Sequence, residues 1–285
     1  MALQGCNRLI TVPFILLNAT SRHQHVLFVR KKIPSDNNEL VVFFGGDIQD
    51  FAESMKSDPN KKEFVNWSLE NVGELLYHKF PNSDILAVRP CRYDHGTFSC
   101  YDNFVPSQSY GIPKFVSNHG ALMHLNELLV SLSTAVQTSD LEGTRYEEAR
   151  LSLIGFSKGC VVLNQLLHEF HFADENSQSQ PVMVDIIRKI SSMYFLDGGH
   201  AGKNNTWITN QSLLQTLAKL GINVFVHVTP YQVNDERRPW IGKEEELFAK
   251  TLKNFQARIY RKLHFKNDPP SLQNHFQVLK EFQPM

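Results

Sequence analysis

Cysteine is scarce in this chain, with four residues (Cys6, Cys91, Cys100 and Cys160) among 285. No pair has C-x-x-C spacing, so neither the common zinc signature nor a dithiol redox motif is present. A chain this long and this poor in cysteine is not a disulfide scaffold, and a reducing compartment is the expectation. Net charge is also lacking: 29 Lys and Arg balance 29 Asp and Glu. That balance argues against nucleic acid or an anionic surface as the main partner. No apolar run approaches the length of an integral membrane span, and the run Leu9–Leu17 is interrupted by Pro13. The glycines of Asp197-Gly-Gly-His200-Ala-Gly202 lack the spacing and the lysine of a P-loop. His200, His227 and Asp197 lack metal-ligand spacing, so neither metal nor cofactor is expected. Repeats, low-complexity tracts and interdomain linkers are absent, and a single domain over 1–285 is the simplest account.

Acidic residues are missing from the first thirty-five positions, which hold Arg8, Arg22, Arg30, Lys31 and Lys32. This is the bias of a weak mitochondrial targeting segment. The competing reading is a β-hairpin of Arg8–Leu17 and His25–Lys32, and the strand-like patterns favour it.

What the chain does have is alternation. Short apolar runs (Glu39–Phe44, Asp84–Arg89, Leu151–Phe156, Ser192–Leu196, Ile222–Val228, Ala257–Phe265) are separated by helical spacings (Lys62–Phe80, His119–Val136, a segment after Ser157, Ser212–Leu220, Lys243–Phe255, Ser271–Phe282). Runs apolar on both faces suit central parallel strands. Strand–helix alternation then predicts an α/β fold, a mostly parallel, doubly wound sheet with helices on both faces. The aromatic, Pro- and Gly-containing stretch 90–118 has no clear period and is expected to be a lid or binding loop, or satellite core packing.

The chemistry points to Leu151-Ser-Leu-Ile-Gly155-Phe-Ser157-Lys-Gly159-Cys-Val-Val-Leu-Asn. A strand, Gly-x-Ser-x-Gly and a helix form a nucleophile elbow, with Ser157 exposed at a helix N-terminus that favours a developing oxyanion. The pattern also fits an ordinary strand-to-helix turn. A serine hydroxyl needs a histidine to take its proton and a carboxylate to orient that histidine. In α/β-hydrolase order these follow as Ser, acid, His. His275, after the last strand, is the expected base, and His264 lies within that strand. For the acid, Asp235, after the second strand beyond the elbow, is preferred to Asp197, after the first. Asp235 could instead pair with Arg237 or Arg238, and Asp197 could be a turn residue. The oxyanion hole is expected from the backbone of Lys158 and from the glycine loop Gly45-Gly46-Asp47, with Gly46 and Asp47 as donors. Lys158 as a Ser–Lys base is the weaker reading, and Cys160 reads as a small buried hydrophobe.

Several blocks carry a resemblance: Asn66-Trp-Ser-Leu-Glu-Asn-Val72, Phe98-Ser-Cys-Tyr-Asp-Asn-Phe104, Ile154–Leu167, Leu196-Asp-Gly-Gly-His200, His227–Val233, Trp240-Ile-Gly-Lys-Glu and Asn274-His-Phe276. From about Phe44 onward the chain resembles a family named in humans by its open reading frame on chromosome 2. The resemblance implies an α/β-hydrolase-like fold and association with mitochondria, where composition alone would leave the cytoplasm. It supplies no substrate. Relative to the vertebrate form, a long N-terminal targeting extension is absent, and Gln137–Arg150 is short where that form has a long polar insert. Two functions are expected to compete. One is a serine hydrolase cleaving a small acyl-type substrate (an ester or thioester, esterase- or lipase-like). The other is an inactive hydrolase fold serving an unknown protein partner as a mitochondrial interaction module.

Overall fold

Apolar runs of five to seven residues dictate where the sheet must lie, because strands buried on both faces have no polar edge to show water. The computed structural model describes residues 10–17, 22–30, 38–137 and 144–284. In chain order its elements are β1 (Ile10–Leu17), β2 (His23–Arg30), β3 (Glu39–Phe44), α1 (Ala52–Ser57), α2 (Leu69–Lys79), β4 (Asp84–Val88), β5 (Arg92–Asp94), β6 (Phe98–Cys100) and α3 (Ala121–Gln137). There follow β7 (Arg150–Phe156), α4 (Cys160–Glu175), α5 (Pro181–Lys189), β8 (Ile190–Leu196), α6 (Gln211–Leu220), β9 (Asn223–Val228), α7 (Pro230–Val233), α8 (Trp240–Asn254), β10 (Ile259–Leu263) and α9 (Leu272–Glu281).

Eight strands form one sheet in the order β1-β2-β4-β3-β7-β8-β9-β10. Strands β4 to β10 of that order are parallel, and β2 joins β4 antiparallel. Strands β1 and β2 pair antiparallel from Ile10↔Arg30 to Leu17↔His23, so the chain opens with the hairpin. The targeting-segment alternative covers residues 1–35, of which 1–9, 18–21 and 31–35 lie outside those described. The chain runs from β3 outward to β4, then returns to the other side of β3 for β7. Loops leaving the C-terminal ends of β3 and β7 therefore diverge to opposite sides, which opens a crevice there.

Alternate residues of each strand feed two cores, one on each face. Val41, Phe43, Ile154, Phe156 and Tyr194 pack with α2 and α9 through Val72, Leu76, Phe276 and Leu279. Val42, Phe44, Leu153, Phe195 and Val226 pack with α3, α4, α5, α6 and α8 on the other face. No helix among the described residues is long and apolar enough to cross a membrane.

Two helix expectations shift for local reasons. The continuous helix Lys62–Phe80 is broken at Ser68, with a 3-10 turn over Lys62–Trp67 before it. Ser68 leaves helical geometry, and its Oγ accepts the N–H of Asn71 at 3.3 Å, which caps α2. Helix α4 runs to Glu175 where the polar sequence Phe170–Gln180 predicts a loop, because Phe170 and Ala173 keep the buried face going.

His227 in β9 faces His264 just beyond β10, with Nδ1 and Nε2 2.9 Å apart and both side chains buried. In such a contact one ring nitrogen donates and the other accepts, so a second proton would face a like charge. Burial lowers His227 to about 3 and His264 to about 4, from an ordinary value of 6.5. The unfolded chain then binds protons that the fold does not. The contribution of this pair to stability is complete above about pH 6.5 and is lost as the pH falls from there through about 4 toward about 3. Thermal melts across this window are expected to show a falling midpoint. The double variant His227→Asn/His264→Asn, which cannot titrate at these positions, is expected to flatten that slope.

Candidate functional site

The elbow is built by backbone contact. A Cβ on Gly159 would stand 1.9 Å from the carbonyl oxygen of Phe44, at the end of the neighbouring strand. One on Gly155 would meet the Cα of Cys160 at 2.9 Å. Both glycines of Gly-x-Ser-x-Gly are therefore required by packing. Ser157 itself adopts φ +51°, a left-handed conformation that non-glycine residues avoid and that strained functional turns hold. Its side chain lines a cavity at the C-terminal edge of the sheet. Cys160 is buried, its thiol directed at the carbonyl of Gly155 (3.1 Å), and burial pushes its pKa up, so it is no nucleophile.

His275 comes from the first turn of α9, which Ser271 caps by accepting the N–H of Asn274 at 3.1 Å. Its ring lies between Phe156 and Tyr231, with centroid separations of 4.7 and 4.8 Å. These two faces fix the ring plane, and the hydrogen bond from Nδ1 to Asp197 Oδ2, at 2.6 Å, fixes its rotation. Asp197 directly follows β8, is fully buried and holds φ +49°. Thr229, at the end of β9, donates to it twice, from its N–H to Oδ1 (2.7 Å) and from Oγ1 to Oδ2 (2.6 Å). An ionised carboxylate only accepts, so these contacts place the imidazole proton on Nδ1 and leave Nε2 as the basic nitrogen.

The preference for Asp235 is corrected by this geometry. Asp235 does not meet His275. Its carboxylate receives Arg238 Nε at 2.8 Å, Arg237 Nε at 3.4 Å and the Arg237 N–H at 2.9 Å. The alternative, Asp197, occupies the position beside the histidine, and Ser157, His275 and Tyr231 line one cavity of about 770 Å³. His264, the competing base, is spent on His227.

The glycine loop needs a second correction. Gly46 donates its N–H to Gln49 Oε1 at 2.7 Å, so that donor is already used. Gly46 matters instead because a Cβ there would fall 2.9 Å from Ser157 Cβ. The N–H groups of Asp47 and Lys158 remain as candidate oxyanion donors. Asp47 lies on the cavity wall, with Oδ1 accepting the Ser99 N–H at 2.8 Å. Burial raises its pKa, and the Lys158 ammonium opposes that rise. Lys158 is itself buried, with Nζ 3.3 Å from the Tyr110 carbonyl, and burial lowers its pKa.

The 90–118 stretch contributes Phe98 to the cavity wall. Its larger part is to hold the glycine loop. Thr97 accepts the Ile48 N–H (2.9 Å), Ser99 Oγ donates to the Gly46 carbonyl (2.8 Å) and Tyr101 to the Gly45 carbonyl (2.9 Å). The sequence does not show the partners of Gln49, Ser99 and Tyr101, because a polar residue outside a periodic element carries no signal of which backbone group it reaches. His200 also lines the cavity, but Nδ1 accepts the Gly202 N–H at 2.9 Å and Nε2 faces the Asn205 carbonyl at 3.2 Å. Burial lowers its pKa to about 4, and its role is to shape the loop after β8. No group of three or more His, Cys, Asp or Glu among the described residues could hold a metal ion.

Gly159→Ala is expected to lower stability by about 3 kcal/mol or more, since backbone rather than a movable side chain fills the space. Ser157→Ala, with no new contact, is expected to stay within about 0.5 kcal/mol of the parent. Urea unfolding of the two variants separates these outcomes.

The chain matches the C2orf69 family model over residues 4–149 and 138–258. It is 40% identical over 256 residues to the mitochondrial protein C2orf69 homolog of Danio rerio, covering 87% of this chain and 74% of that protein. It is 37% identical over 287 residues to mitochondrial protein C2orf69 of Homo sapiens, covering 85% and 74%. Among solved structures it is similar in fold to a fungal esterase from Rhizomucor miehei, with a TM-score of 0.53 and 10% identity over 97% of this chain and 79% of that one. An esterase from Pyrobaculum calidifontis gives a TM-score of 0.50 at 10% identity, over 97% and 82%. The fold is thus that of the α/β-hydrolases, and by sequence the chain belongs to the C2orf69 family.

Proposed function

We propose that this chain is a serine hydrolase cleaving a carboxylic ester or thioester through an acyl-enzyme. The observation that carries the reading is the buried 2.6 Å contact of His275 Nδ1 with Asp197, in the cavity lined by the strained Ser157. Asp197 holds the tautomer in which Nε2 is a base. His275 takes the Ser157 hydroxyl proton as Oγ bonds to the acyl carbon, and the carbonyl oxygen becomes an oxyanion. The N–H groups of Asp47 and Lys158 receive that charge. His275 passes the proton to the leaving oxygen or sulfur as its bond to carbon breaks. Water, deprotonated by the same nitrogen, then releases the acid and restores Ser157. The relatives carry mitochondrial names, and we assign this chain to the same compartment.

A fluorophosphonate probe tests the reading, because Ser157 Oγ would bond to phosphorus as fluoride leaves. Wild-type protein is expected to label, and Ser157→Ala and His275→Gln are expected not to. Asp197→Asn is expected to slow labelling by about three to four orders of magnitude, the effect of the wrong tautomer in a serine triad. Asp235→Asn is expected to slow it far less. Folded wild-type protein that never labels would overturn the proposal in favour of a non-catalytic module.

A further inference from the structure

The loop after β9 places charge on a cavity that is otherwise largely apolar. Phe64, Phe98, Leu272 and Phe276 line it, and so do Arg237 and Arg238. Asp235 engages both guanidinium groups through Nε, at 3.4 and 2.8 Å. The Nη ends of both have no protein partner among the described residues. One carboxylate against two guanidinium groups leaves a net positive charge. That carboxylate also lines a separate cleft with Glu236, Glu246, Lys243 and the Arg261–Glu245 pair. Of the cavity's other ionisable walls, Asp47 is opposed by the buried Lys158, the ring nitrogens of His200 are both engaged, His275 is held through Nδ1 by Asp197, and Tyr231 packs on the His275 ring. Of the two arginines, Arg238 is the more deeply set in the cavity wall, its side chain 27% exposed, whereas that of Arg237 is 89% exposed and stands at the rim.

A guanidinium fork braced at Nε presents its two Nη donors in the plane and spacing that fit a carboxylate or a phosphate. The aromatic and leucine walls fit a hydrocarbon part. We propose that the cavity takes a substrate joining a hydrocarbon part to an anionic group, a carboxylate or a phosphate, with Arg237 and Arg238 gripping the anion and Asp235 positioning them. This assignment deepens the hydrolase reading by naming its substrate class, and it rests on that reading only for the identity of the bond cleaved.

Binding measured calorimetrically on Ser157→Ala, which cannot turn over, tests the assignment apart from catalysis. Octyl phosphate, octanoate and octanol are the probes. At least one anionic probe is expected to bind about tenfold or more tighter than octanol, the effect of a charge-assisted hydrogen bond. Which one does so tells phosphate from carboxylate. Adding Arg237→Gln and Arg238→Gln is expected to abolish the preference, and Arg237→Lys with Arg238→Lys to keep part of it. The preference is also expected to shrink as salt is raised from about 0.05 to 0.5 M. Equal affinity for all three probes, or an anion preference that survives the double glutamine change in a protein that still melts cooperatively, would overturn the assignment. Fluorophosphonate labelling of the wild type decides the hydrolase reading separately. A labelled protein without anion preference sinks this inference alone, and an unlabelled protein with the preference sinks the catalytic reading alone.

Discussion

The structure depends on one close approach of backbone to backbone, where the turn after β7 lies against the end of β3. Gly159 leaves no room for a Cβ beside the Phe44 carbonyl, and Gly46 leaves little beside Ser157. With no side chain between them, the serine turn and the glycine loop form one unit, whose separation is set by van der Waals contact rather than by rotamers. Such a unit cannot be wedged into place from within. It is fixed from outside, by the β5–β6 hairpin gripping the glycine loop through Thr97, Ser99 and Tyr101, and by Gln49 gripping it from its own chain.

The carboxylate that orients His275 comes from the loop after β8. Thr229, one strand further on, gives that carboxylate two hydrogen bonds, so β8 and β9 jointly hold one side chain. The loop after β9 is thereby released from orienting the histidine. Its aspartate is turned instead to two arginines at the cavity wall. Neighbouring loops of one sheet edge thus divide two tasks that a single acidic residue could not perform at once.

Much of this was legible in the sequence, for reasons that lie in the backbone. The Gly-x-Ser-x-Gly turn is readable because contact at Gly155 and Gly159 excludes every other residue. The central strands are readable because burial on both faces demands unbroken apolar runs, and His275 because the last loop at this sheet edge has few histidines to offer. What resisted reading depends on side chains that meet only after folding. Asp197 and Asp235 both follow strands, and they are told apart by partners that meet them only in the fold, Thr229 and His275 at Asp197 and Arg237 and Arg238 at Asp235. Gly46 looks like a donor until Gln49 reaches back to it. The long aromatic stretch has no period to read, and that Ser99 and Tyr101 within it donate to carbonyls of the loop after β3 depends on contacts made only in the fold. The break at Ser68 lies between two segments of similar helical spacing, and a single hydroxyl decides it.

The parallel sheet has two ends, and they are not equivalent. Ser157, Asp197 and the glycine loop leave strands at their C-terminal ends, whereas the connection from α3 enters β7 at its N-terminal end, near Arg150. The full length of β7, seven residues, separates that connection from the serine. At about 3.3 Å per residue this is some 20 Å of strand held on both sides by neighbours. Chain length added at the far end therefore lies beyond mechanical reach of Ser157. A lineage can lengthen or shorten that connection while the opposite rim keeps its shape.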